Sequence, residues 1–151
     1  MRVDYIGGHR SAFAFARRGF SRYRADFTHS SIIWSYGSPG MIRISSNFDS
    51  GAIEIASLAS DGQDERIDLR IRRDSHQDFT QWFHFRLQGA RERACVIRFL
   101  NAGLCTYPAG WEGYRAVASY DGAHWFRVAT SYRDGVMTVA FTPERDSVWF
   151  A

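Results

Sequence analysis

The sequence contains no lysine: all nineteen basic residues are arginine. An arginine-only surface is a functional requirement only where planar guanidinium recognition matters throughout, so the absence reads as a bias of the encoding genome. There are two cysteines, Cys95 and Cys105. They make neither a disulfide framework nor a metal-ligand spacing, which leaves a reducing, cytoplasmic compartment as the default. Cys95 lies in a strand-like run and reads as a small buried apolar residue. No apolar run approaches the ~20 residues that span a bilayer, and the N-terminus lacks the continuous apolar stretch of a secretory signal, so no membrane association is expected. None of the five histidines is followed by Glu three residues on or by His four on, which removes the H-x-x-E and H-E-x-x-H zinc patterns. A nucleophile elbow of the G-x-S-x-G type is missing too. Gly110-Trp111-Glu112-Gly113 has two glycines but neither the lysine nor the following helix of a phosphate loop.

The 151 residues are enough for one domain with a core, and 45% of them are apolar. Aromatic residues reach 16%, which favours strands. The net charge of +3 is unevenly placed. Residues 1–40 carry six arginines against two aspartates, whereas residues 41–151 carry thirteen arginines against fourteen acids. The basic balance therefore belongs to the N-terminal segment, and the rest gives no electrostatic reason to expect nucleic acid. Residues 1–40 show neither alternation nor a capped helix and end in Ser38-Pro39-Gly40. They read as a basic, irregular extension. Met41 opens the first clean strand pattern and is a candidate true start, with a genuine extension and a targeting segment as the other readings.

From Met41 onward, short alternating segments are separated by turn signals. Met41 to Phe48 predicts a strand, with Ala52 to Ser57 as its hairpin partner across Asp49-Ser50-Gly51. Between Arg66 and Arg72, Ile67, Leu69 and Ile71 alternate with charged residues, the pattern of a half-buried antiparallel strand. The stretch from Asp74 to Leu87 runs from a polar turn into a central strand in which Phe83, Phe85 and Leu87 point one way. Further strands are predicted at 94–100, 114–120, 124–130, 136–141 and from 147 onward. The pairs Asp121-Gly122 and Asp134-Gly135 mark hairpins. The sum is an all-β fold: an antiparallel β-sandwich of about eight or nine short strands. The apolar ending Val148-Trp149-Phe150-Ala151 predicts a chain cut at that point, or an end that docks on something.

Candidate chemistry is sparse. Asp74, Ser75, His76 and Asp78 form the one compact polar cluster, and its position in a loop favours a turn network over a ligand set. His84 on a sheet face reads as structural, and His124 after a turn as solvated. Cys105 has no histidine nearby in sequence to activate it. The remaining feature is a set of aromatics: Trp82, Tyr107, Trp111, Tyr114, Tyr120, Trp125 and Trp149. Core packing accounts for most of them. The stretch from Tyr107 to Arg115 combines Trp, Tyr and Arg, the residue types enriched at interface anchors. Some of Trp111, Tyr114, Arg115, Trp149 and Phe150 are expected to contact a partner.

Four stretches resemble one family. They are ISSNFDSGAIE from Ile44, LRIRRDSHQDFTQWFHFRL from Leu69, YPAGWEGYRAVASYDGAHWFRV from Tyr107 and TPERDSVWFA from Thr142. In order and spacing they are similar to the N-terminal domain of bacterial cytosolic-type zinc metallocarboxypeptidases of peptidase family M14, and they cover most of residues 41–151. The resemblance implies a β-sandwich that precedes and packs on a catalytic domain. It also implies that the zinc ligands, the substrate-carboxylate arginine and the catalytic glutamate lie in that other domain, so no catalytic residue and no cofactor are expected here. The expected role is that of a non-catalytic accessory domain whose partner is the catalytic domain, in cis or separately encoded. Two other readings compete. One is a free-standing carbohydrate- or peptide-binding module using exposed aromatics, and the other a small hydrolase using Cys105 or the His76 cluster.

Overall fold

A computed structural model of the chain describes residues 41–61 and 64–151. The expectations for residues 1–40 fall outside them. Among the described residues ten strands run in order: β1 (Arg43–Ser45), β2 (Glu54–Ser60), β3 (Asp64–Arg70), β4 (Phe85–Gln88), β5 (Ala94–Phe99), β6 (Val117–Ser119), β7 (Trp125–Arg127), β8 (Ala129–Arg133), β9 (Val136–Phe141) and β10 (Ser147–Phe150). Two short 3-10 turns, Ala102–Leu104 and Pro108–Trp111, lie between β5 and β6. The strands form two five-stranded sheets, ordered β1-β4-β10-β6-β7 and β2-β3-β5-β9-β8. The all-β reading holds, with one more strand than expected.

The core lies between the sheets and follows the alternation of the sequence. Ile67, Leu69 and Ile71 are buried from β3 and its continuation, as are Phe83, Phe85 and Leu87 from β4 and its approach. Phe85 stacks on Phe150 with ring centroids 5.2 Å apart, and Phe83 meets Phe99 of the opposite sheet at 4.4 Å. Aromatic pairs of this kind add to the stabilisation from buried area. Cys95 is buried as expected, and burial pushes its thiol up to about 11.

Three local expectations are corrected. The β1–β2 hairpin does not form, because β1 pairs with β4 and β2 with β3. The chain turns tightly at Gly51, where any Cβ would lie 1.9 Å from the Ser46 carbonyl oxygen. Ala52 then bridges His84, and the chain leaves for the other sheet. The sandwich is not purely antiparallel either. After β3 the chain crosses to the first sheet, lays down β4, and returns so that β5 runs parallel to β3. The strand expected over 124–130 is two. Val128 is buried between them, its N–H donating to the Ala116 carbonyl at 3.0 Å, and the chain changes sheet there. The apolar ending, for its part, docks within the domain itself. β10 is the central strand of the first sheet, paired on both sides, with Val148 and Phe150 in the core.

Candidate functional site

Three connections meet at one end of the sandwich. β3 and β5 are parallel, so the segments that follow them, 71–84 and 100–116, leave at the same end. The β8–β9 turn, with Asp134 at φ 51° and Gly135 at φ 77°, sits there as well, since Phe99 pairs with Met137. Gly103 packs against this turn, and its N–H donates to the Gly135 carbonyl at 2.7 Å. A Cβ on Gly103 would come within 2.6 Å of the Gly135 Cα, so the approach needs glycine.

The two long segments are clamped by paired hydrogen bonds. The Asn101 side chain accepts from the Ile71 N–H at 2.8 Å and donates to the Ile71 carbonyl at 2.8 Å. The Gln81 amide does the same for Tyr107, donating to its carbonyl at 2.9 Å and accepting from its N–H at 2.7 Å. Thr106 donates its N–H to the Thr80 carbonyl, and its hydroxyl accepts the Thr80 N–H, both at 2.9 Å. Trp111 lies beneath them with Phe83 and Tyr114 around its ring. The clamp holds large apolar side chains out toward solvent: Leu104 is 84% exposed, Tyr107 61%, Phe79 43% and Trp82 40%. Large apolar groups held at the surface by a rigid frame are the usual anatomy of an interface.

A polar rim adjoins this patch. The Asp74 carboxylate accepts the His76 backbone N–H at 2.8 Å, and the Asp74 N–H donates to the Phe79 carbonyl at 2.8 Å. The His76 amide, more than any other contact, holds the Asp74 carboxyl below its usual range. Arg73 and Asp78 pair at 2.8 Å in the open. Ser75, with Arg73, Asp74 and Trp82, lines a cleft of about 210 Å³ that Phe48 to Ala52 close from the other side. The expected turn residues are thus together, bonded as a turn. Among the described residues, no three His, Cys, Asp or Glu side chains come together in a way that could hold a metal ion.

The outer faces of the sheets differ. On the first, the Arg86 guanidinium lies over the Trp149 ring at 5.6 Å. His84 meets the rings of Phe48 and Trp125, and its Nδ1 lies 3.1 Å from the Ser50 hydroxyl. Burial pushes the His84 imidazole below its ordinary value. On the second, the Arg98 guanidinium grips both oxygens of Asp68 at 2.7 Å while Ser57 donates to the same carboxylate at 3.0 Å. The Arg98 bonds hold the Asp68 carboxyl low, although the alternation of β3 places Asp68 outward.

The expected contact residues divide. Tyr114, Arg115 and Trp149 reach the surface, whereas Trp111 is 4% exposed and Phe150 1% exposed. Neither of the last two has surface to offer a partner, because Trp111 plugs the core beneath the clamp and Phe150 fills its centre. Cys105 is buried as well, and burial pushes its thiol up, against the needs of a nucleophile. His124 stands exposed, with its Nδ1 2.8 Å from Asp121. Two members of the apolar patch, Phe79 and Leu104, carry no signal in the sequence. A lone apolar residue between polar ones says nothing of exposure until the fold is known.

These features define a two-sheet β module with a structured apolar end. The model of the cytosolic carboxypeptidase N-terminal domain matches residues 44–151, and the chain belongs to that family. An uncharacterised protein of Zymomonas mobilis is 39% identical over 110 residues, which are 73% of this chain and 28% of that one. A crystal structure from Burkholderia mallei is 51% identical and superposes with a TM-score of 0.67, over 73% of this chain and 28% of the other. The crystal structure of a metallo-carboxypeptidase from Burkholderia cenocepacia is 48% identical, with the same TM-score of 0.67 and the same 73% and 28% coverage. The chain therefore spans little more than a quarter of the length of the relatives it matches. Among the described residues, no helix is long and apolar enough to cross a membrane.

Proposed function

We propose that this chain is a non-catalytic accessory domain of a cytoplasmic, bacterial zinc metallocarboxypeptidase. It packs on a catalytic domain, in cis or separately encoded, and shapes the approach to that domain's cleft. The zinc and the catalytic residues belong to that partner, and this domain requires no cofactor. The observation that carries the reading is the match of residues 44–151 to an N-terminal domain, combined with coverage of 28% of each longer relative. The burial of Cys105 and the hydrogen bonding of the Asp74–His76 turn also weigh against a small hydrolase.

Two measurements on the purified 151-residue chain test this. Metal content by mass spectrometry is expected to give no stoichiometric zinc, and incubation with peptides is expected to leave their C-termini untrimmed. Zinc at one per chain, or C-terminal trimming lost on removal of the metal, overturns the proposal.

A further inference from the structure

We propose that the end of the sandwich bearing Phe79, Trp82, Leu104 and Tyr107 is the surface on which the remainder of a longer carboxypeptidase chain seats. This rests on the accessory-domain reading and gives it a place.

The first argument is topological. Phe150 of β10 pairs with Phe85 of β4, and Ala151 exchanges both backbone hydrogen bonds with Val117, at 2.8 and 3.0 Å. Ala151 thus lies level with His84, at the start of β4. From there Gln81 is only three residues away, about 10 Å at strand rise. The chain therefore leaves the first sheet at the end where the 71–84 and 100–116 segments gather. The matched family is an N-terminal domain, and each longer relative has most of its length outside the match. In those proteins the following chain sets out from this end, beside the four exposed side chains.

The second argument is energetic. Docking costs conformational entropy wherever a side chain or loop must be ordered, so a surface already ordered binds at lower cost. The Asn101–Ile71, Gln81–Tyr107 and Thr106–Thr80 pairs fix the backbone that carries Phe79, Leu104 and Tyr107. Two aromatics on the outer face of the first sheet have partners within the module. Trp125 donates its indole N–H to the Gly122 carbonyl at 3.2 Å, and Trp149 is capped by Arg86. Trp82 is also engaged, its indole bonding the Asp74 carboxylate, so Phe79, Leu104 and Tyr107 are the side chains that carry the patch. Arg73, Asp74 and Asp78 add a charged rim beside Trp82, the usual arrangement around an apolar contact.

The test is hydroxyl-radical footprinting read by mass spectrometry. The Burkholderia cenocepacia metallo-carboxypeptidase is made with residues 44–151 of this chain in place of its own matching portion, and compared with the isolated 151-residue chain. Leu104 and Tyr107 are expected to be labelled in the isolated chain and to lose their labelling in the chimaera, while Leu58 on β2 stays labelled in both. Retained labelling at Leu104 and Tyr107 with protection gained at Trp125 and Trp149 overturns the inference but leaves the accessory reading standing. No protection at any position overturns both. Leu104 and Tyr107 already protected in the isolated chain, at dilutions where it is monomeric, would assign the patch to residues 1–40 and overturn it as well. If the chimaera does not fold, the unaltered Burkholderia enzyme is footprinted at the positions aligned with 79–82 and 104–107, and full labelling there overturns the inference.

Discussion

Phe79 and Trp82 stand beside Phe83 and Phe85 in the sequence, yet the two pairs have opposite fates. Phe83 and Phe85 are buried among Phe99 and Phe150, while Phe79 and Trp82 remain partly in solvent. The same residue types thus serve the core on one side of position 83 and the surface on the other. What separates them is backbone pairing. Around His84 the chain joins Ala52, and from Phe85 it is held in the first sheet, so alternate side chains are driven inward. At Thr80 and Gln81 the backbone is tied to the 106–107 segment instead, and Phe79 and Trp82 on either side of that tie stay partly in solvent.

Three substitutions sharpen this contrast. The largest effect is expected at Phe85→Ala, which opens a cavity under Phe150 and removes about 3–5 kcal/mol of stability. Set against the 5–15 kcal/mol of a typical domain, that shift is easily read by urea denaturation, and a loss below about 1 kcal/mol would contradict the core assignment. Next comes Asn101→Ala, which strips both partners from the Ile71 backbone and is expected to cost about 1–3 kcal/mol. Protease cleavage within residues 102–107 should rise with it; unchanged proteolysis would mean that the clamp does not hold the loop. The smallest effect belongs to Tyr107→Ala, within about 0.5 kcal/mol in the isolated chain, because the ring is mostly exposed and the main-chain bonds to Gln81 survive. A destabilisation comparable to that of Phe85→Ala would erase the distinction between the two regions.

Legibility in the sequence follows the range of the interactions. The alternation of Ile67, Leu69 and Ile71 and of Phe83, Phe85 and Leu87 reports burial directly, because a strand exposes every second residue to one face. Asp134-Gly135 identifies the β8–β9 hairpin because both residues accept positive φ. The Asp74–His76 turn is readable for the same local reason. Partner choice is another matter. Pairing of β1 with β4 rather than β2, the parallel β3–β5 pair and the change of sheet at Val128 all depend on contacts far apart in sequence. The candidate contact end suffers most from this. Tyr107 and Trp82 stand out as aromatics, but Trp111 and Phe150 look equally suited to a surface. Only the packing of Trp111 against Phe83 and of Phe150 against Phe85 removes them from it.

The central position of β10 also governs the timing of folding during synthesis. β1 and β4 on one side and β6 and β7 on the other are joined only through β10, the last of the ten strands to be made. Until residues 147–150 have left the ribosomal tunnel, the first sheet lacks the strand that joins its two halves. The second sheet is complete by Phe141 but has no finished opposite layer to cover its apolar side. The nascent module therefore waits on its final strand, and until then its greasy inner faces are within reach of chaperones.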